Sequence, residues 1–229
     1  MIEFLFLDLD DTILDFHKAE RIALSKTIRE FGMEPTEEVL ILYHGINKWH
    51  WEQLELGKLT RAEVLVNRFG AFFAELGIDV DRYAVARLYE EYLSQGHWFL
   101  PGAEEAVETL SKKYRLFLAS NGTAIVQKGR MTSANLYRFF ETSFVSQEIG
   151  HNKPSKEYFE AAFAMIPDFD KSKCLMVGDS LTSDIRGGIN AGLKTCWVNP
   201  NHAPGREDIT PDYEIEYLHQ LDALLESLK

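Results

Sequence analysis

The chain has 229 residues, 45% of them hydrophobic, and carries 36 acidic against 24 basic side chains for a formal net charge of −12. That length suits one core domain with a smaller insert, and the surplus of acid argues against nucleic acid as a partner, because such a surface needs clustered Lys and Arg to release counterions from phosphates. The longest apolar runs, such as residues 2–9, are broken by acid far short of a membrane span, which argues against a membrane partner. With no basic flank or small-residue cleavage site at the start, the expected location is cytoplasmic.

Taken in chain order, residues 3–8 are apolar on both alternating faces, as in a strand buried between helical layers of a parallel sheet. From Asp15 to about Phe99 the spacing is helical, with no convincing strand. Helices are predicted over Lys18–Phe31, Thr36–Leu56, Thr60–Leu76 and Asp81–Gln95, punctuated by Gly32, Gly57, Gly77 and Gly96. Pro101-Gly102 then returns the chain to strand-helix alternation. Helices are expected over Ala103–Tyr114, Ser155–Met165 and Asp184–Ala191. Strands are expected over Arg115–Ser120, Lys173–Gly178 and Lys194–Val198, with a weaker candidate over Thr142–Ser146. The fold class is therefore α/β, a Rossmann-like doubly wound parallel sheet interrupted once by an all-helical insert. Its core spans residues 1–14 and 100–229, and its insert 15–99. Cys174 and Cys196 lie inside strand-like runs with no partner at metal-ligand spacing and read as buried thiols.

The polar residues at the predicted strand ends carry the chemistry. Asp8 closes the first strand at the edge where open parallel sheets bind ligands, and Asp10 follows two residues later. Like charges so close repel unless a cation or a shared proton offsets them, which points to a metal or a proton-transfer role, while an isolated Asp-x-Asp is more often a solvated turn or cap. Ser120-Asn121-Gly122 offers a hydroxyl and backbone N–H groups ahead of a helix, either an anion cradle or a plain strand-to-helix turn. Lys153-Pro154 places a cation at a helix entrance near the same edge. Gly178-Asp179 and Asp184 put one carboxylate at a strand end and another five residues on, where a helix cap is the alternative.

In order and spacing these segments match four motifs, Asp-x-Asp-x-Thr, strand-end Ser, Lys-Pro and Gly-Asp-x4-Asp, and by them the chain resembles the haloacid dehalogenase superfamily over essentially its whole length. The resemblance implies a hydrolase acting on a small phosphorylated metabolite. In it Asp8 is the nucleophile and a magnesium ligand, and Asp10 is the acid and base and also a magnesium ligand. Ser120, Asn121 and Lys153 bind phosphate, Asp179 binds magnesium, and Asp184 supports the water molecules on the metal. It also makes the insert a cap that shapes substrate choice. Asp179 through Gly192, followed by Thr195 through Asn199, resembles the bacterial nucleoside-monophosphate phosphatases, whose better-known members are pyrimidine 5'-nucleotidases. Asn47, Lys48 and Trp51, with Gly57 through Thr60, resemble that subgroup's cap.

Residues 45–51 and 96–99 gather aromatic and polar groups that suit either a pocket for a flat base or the packing of a helical bundle. Other open readings are phosphoglycolate or a sugar phosphate as substrate, and a sugar-phosphate mutase. A receiver-like phospho-switch is disfavoured, because it places its acceptor Asp on a middle strand and has no such insert. The oligomeric state cannot be read from these features.

Overall fold

Six strands form one parallel sheet in a computed structural model that describes residues 1–228. They are β1 (Phe4–Leu7), β2 (Arg115–Ser120), β3 (Thr142–Val145), β4 (Cys174–Gly178), β5 (Lys194–Val198) and β6 (Tyr213–Ile215), in the order β3-β2-β1-β4-β5-β6. β1 is central, with Leu7 opposite Leu118 on β2 and Val177 on β4, so the carboxyl ends of these three strands meet at one edge. The first four strands in chain order, and β5, fall where the apolar runs predict them, to within two residues at either end. β6 is an addition. Its three residues, Tyr213-Glu214-Ile215, alternate apolar and polar but are too few to stand out as a strand, and they join the sheet by pairing with β5.

Alternation along the strands sorts the core into two layers. Leu5, Leu7, Leu116, Leu118, Leu175, Val177, Cys196 and Val198 form one buried cluster with α5 (Ala103–Ser111) and α10 (Leu221–Ser227). Phe4, Phe6, Phe117, Phe144, Cys174 and Met176 form the other, covered by Tyr158, Phe159 and Ala162 of α8 (Lys156–Ala164). With both faces covered, strands can be apolar throughout, and both cysteines are buried free thiols as expected.

The chain divides into two compact units, one formed by Met1–Phe16 together with the chain from His97 onward, the other by His17–Gly96. The polypeptide leaves and re-enters the first unit through paired segments. Leu14 bridges antiparallel to Phe99, Leu100 N donates to Ile13 O at 3.0 Å, and Asp15 N donates to Trp98 O at 2.8 Å.

The second unit contains the helices α1 (Phe16–Glu30, begun at the last residue of the first unit), α2 (Glu37–Glu55), α3 (Arg61–Glu75) and α4 (Arg82–Leu93). Thr36, Thr60 and Asp81, expected as the first residues of three helices, are their N-caps, and Thr60 and Glu63 close a capping box. α1 starts two residues earlier than predicted because Asp11 Oδ1 accepts a hydrogen bond from Phe16 N at 2.9 Å. Asp11 itself has φ 54°, a left-handed turn conformation that Asp tolerates better than most residues. Inside this unit Tyr43 packs against Phe69, Phe72 and Tyr89. Asn47 is buried between Glu20 and Arg68, accepting from Arg68 at 2.8 Å and donating to Glu20 at 2.6 Å, while the other Glu20 oxygen meets His44 Nδ1 at 2.7 Å. The aromatic-rich stretch is thus mixed: Asn47 and His50 pack the helices, whereas Trp49 is exposed. Among the described residues no helix is long and apolar enough to cross a membrane.

Candidate active site

All seven residues singled out at the strand ends come together at the carboxyl edge of β1, β2 and β4. Asp8 follows β1 directly, and its backbone N–H donates to Val177 O at 3.0 Å, extending the parallel pairing by one residue. Its side chain is nearly buried. Lys153 is the hub. Only 1% of its surface is exposed, and its Nζ donates to Asp8 Oδ1, Asp184 Oδ1 and Ala119 O, each at 2.6 Å. All three ammonium protons are therefore spent on buried acceptors.

Asp184 occupies a π-helical turn, Leu181–Ile185, immediately before α9 (Arg186–Ala191), and its Oδ2 accepts from Ser180 N at 3.1 Å. The turn runs close to the end of β4. A Cβ on Gly178 would stand 2.7 Å from Asp184 Cβ, closer than real Cβ atoms come, so the position admits only glycine without a shift. Asp179 faces the same space. Thr12 Oγ1 reaches its Oδ1 at 3.5 Å, and its carbonyl accepts from Trp197 Nε1 at 2.7 Å.

Carboxylate oxygens of Asp8, Asp179 and Asp184 lie within 4.8 Å of one another. Three carboxylates stand against one ammonium, and the electrostatics reflect the mismatch. Burial, with the Asp184 and Asp10 carboxylates adding to it and Lys153 opposing it, pushes the Asp8 carboxyl up to about 8. Burial followed by Asp184 and Asp8 lifts Asp179 well above the ordinary carboxylate range. Burial alone would lower the Lys153 ammonium, but Asp184 and Asp8 outweigh it and hold Lys153 above its ordinary value. The surplus of two negative charges on hard oxygen donors fits magnesium, which prefers carboxylate and carbonyl oxygens and neutralises such a cluster.

Ser120 ends β2 with its hydroxyl buried, accepting from Gly122 N at 3.1 Å and from Gln127 Nε2 at 2.7 Å. The Asn121 side chain is engaged elsewhere. Its Oδ1 accepts from Lys153 N at 2.8 Å, and its Nδ2 donates to Lys153 O at 2.8 Å and to Ser183 Oγ at 3.1 Å. Asn121 therefore clamps the Lys153 loop with both ends of its amide.

Two further residues enter the site from α6 (Ala124–Ser133). Gln127 Nε2 donates to Asp10 Oδ2 at 2.7 Å, and Arg130 forms an ion pair with Asp10 Oδ1. Neither belongs to the motif set. A Gln and an Arg three residues apart on a helix read as solvated, and their partner lies more than a hundred residues away; the only hint is that they share a helix face just after the Ser120 strand end.

The sequence profile of the haloacid dehalogenase-like hydrolases matches residues 2–192. A pyrimidine 5'-nucleotidase of Streptococcus pneumoniae, PynA, is 37% identical over 97% of this chain and 94% of its own length. A pyrimidine 5'-nucleotidase of Escherichia coli, YjjG, is 30% identical over 97% of both chains. The magnesium-bound crystal structure of a Bacillus subtilis protein named as a HAD-hydrolase, YfnB, which reveals interdomain movement, superposes with a TM-score of 0.94 at 39% identity over 98% of both chains. Profile, full-length relatives and fold agree, and the chain belongs to the haloacid dehalogenase-like hydrolases.

Proposed function

We propose that this chain is a magnesium-dependent phosphomonoesterase that hydrolyses nucleoside 5'-monophosphates through a phosphoryl intermediate on Asp8. The observation that carries the chemistry is the Lys153 hub, which holds the Asp8 carboxylate in a buried site beside two further carboxylates. The substrate class rests on the two full-length relatives that are pyrimidine 5'-nucleotidases.

Asp8 Oδ would attack phosphorus as the ester P–O bond breaks, dividing one hard displacement into two easier ones. Asp10 would give its proton to the departing oxygen, then take one from the water that attacks the phosphoryl-aspartate, releasing phosphate and restoring Asp8. The Ser120 hydroxyl and the Asn121 peptide N–H would bind the non-bridging oxygens, and the Lys153 ammonium would join them by turning one of its three protons from its present acceptors to the incoming phosphate. Lys153 would also reduce repulsion between Asp8 and the incoming dianion. Magnesium would be held by Asp8, Asp179 and the backbone carbonyl of Asp10, with Asp184 orienting its waters, and would supply charge neutralisation of the phosphoryl group. The helical unit, His17–Gly96, would act as the cap that selects the ester.

The test is phosphate release from a panel of nucleoside monophosphates, sugar phosphates and phosphoglycolate, with and without magnesium, using the parent protein and Asp8→Asn. Magnesium-dependent release from pyrimidine nucleotides, abolished in Asp8→Asn, is the expected result. Full activity of Asp8→Asn would overturn the nucleophile assignment, and inactivity on every nucleotide would overturn the substrate class.

A further inference from the structure

Both α6 side chains that reach Asp10 are almost wholly buried, and they converge on the two oxygens of one carboxylate. We propose that Gln127 and Arg130 are positioning residues that set the Asp10 carboxyl for proton delivery to the leaving oxygen. This rests on the acid-base role of Asp10 given above and adds to it two residues outside the four motifs.

The geometry joins two tasks in one amide. Gln127 Nε2 donates at 2.7 Å to Asp10 Oδ2 and at 2.7 Å to Ser120 Oγ, so the proton donor is tied to a hydroxyl that would hold the phosphoryl group. Gln127 thereby sets the spacing between the proton donor and that hydroxyl. Arg130 holds the other Asp10 oxygen, and its own orientation is fixed: the guanidinium lies over the Phe16 ring, 5.7 Å from the centroid, and donates to Gln127 Oε1 at 3.4 Å.

Gly122 makes room for this arrangement. A Cβ there would stand 2.6 Å from Gln127 Cδ, so any side chain at position 122 would push Gln127 off both partners. An ion pair that merely fastened α6 to the turn after β1 would need neither the shared amide nor the bare backbone at Gly122. Apolar side chains of similar volume often serve such a purpose as well or better.

A positioning role predicts dependence on the leaving group. In the first step the ester oxygen departs with the electron pair of the broken P–O bond and takes the Asp10 proton. An alkyl oxygen such as the ribose 5'-oxygen needs that proton, whereas a nitrophenolate leaves as a stable anion. Loosened packing, weakened phosphate binding or lost magnesium would slow both esters alike.

The experiment compares kcat/KM for uridine 5'-monophosphate and p-nitrophenyl phosphate at saturating magnesium, in the parent enzyme, Asp10→Asn, Arg130→Met, Arg130→Lys, Gln127→Leu and Gly122→Ala, with circular dichroism to establish folding. Asp10→Asn, Arg130→Met and Gln127→Leu are expected to lose about 100-fold on the nucleotide and less than about threefold on the aryl ester, with Arg130→Lys recovering part of the loss. Gly122→Ala, which removes no polar group, should show the same split and decides the matter if the α6 variants fail to fold. Equal losses on both esters, or no loss, would overturn the proposal. If only Asp10→Asn discriminates between the esters, the positioning role falls while the Asp10 assignment stands; if Asp10→Asn treats them alike, both fall.

Discussion

Replacing Lys153 with Met keeps most of the side-chain volume and removes the ammonium from the centre of the site. Three acceptors at 2.6 Å then lose their donor together: the Asp8 and Asp184 carboxylates and the Ala119 carbonyl. Breaking one side of a buried ion pair costs about 3–5 kcal/mol, because the abandoned charge stays in a medium that cannot solvate it. For a chain of this length each kcal/mol corresponds to about 2–4 °C in Tm, so a fall of about 6–20 °C is expected. The assay is thermal unfolding followed by circular dichroism, with EDTA and again with saturating magnesium chloride. Magnesium should restore a larger share of Tm in Lys153→Met than in the parent, since a cation replaces the missing countercharge. A second variant, Lys153→Met with Asp184→Asn, should recover part of the loss in EDTA by removing one of the stranded charges. A Tm within about 2 °C of the parent in EDTA, equivalent to less than about 1 kcal/mol, would refute the view that Lys153 neutralises this cluster.

The pH dependence of stability follows from Asp8, whose carboxyl is raised from 3.8 to about 8 in the folded chain. Its contribution is fully present below the unfolded value and is lost as pH rises through the folded one, so the EDTA-treated protein should lose stability from about pH 4 to about pH 8. The proposed magnesium would bind the deprotonated cluster, so the rise in Tm on adding it should grow across the same window; a pH-independent rise would contradict the Asp8 shift. Gly178→Ala should force Asp184 away from the end of β4, and magnesium affinity by titration calorimetry should fall about tenfold or more. Unchanged affinity there would mean that Asp184 has no part in holding the ion.

The sheet was legible because its strands are buried on both faces, and such runs stand out as continuous apolar stretches ended by a polar residue. Arg115–Ser120 and Lys194–Val198 have the bounds expected of them for that reason. β6 has only one buried residue in three and no such run, so only its pairing with β5 reveals it. Position at a strand end was enough to single out Asp8, Ser120 and Asp179 as candidates. What each side chain does there was less readable. Lys153 looks in sequence like a cation at a helix entrance, but the Asn121 amide draws its backbone inward until the ammonium is sealed. Asn121 has the residue type of a phosphate ligand, and its side chain instead shapes that loop. Gln127 and Arg130 were invisible because their partner Asp10 is 117 and 120 residues distant, and only closure of the sheet brings them together.

The paired entry and exit of the helical unit bear on how such a chain folds and changes. Bringing β1 onto β2 means closing a loop of about a hundred residues, and the entropy of closure grows only logarithmically with length. The Leu14–Phe99 bridge and the Leu100–Ile13 hydrogen bond shorten the problem further, because a segment whose ends are already fastened together presents the sheet with a tight turn. The register of β1 on β2 is then indifferent to what lies between them. Insertions, deletions or wholesale exchange within His17–Gly96 can accumulate without disturbing the strand ends where the carboxylates meet. A junction fastened in this way lets the strand ends that carry the carboxylates be inherited intact while the helical segment between them is rewritten.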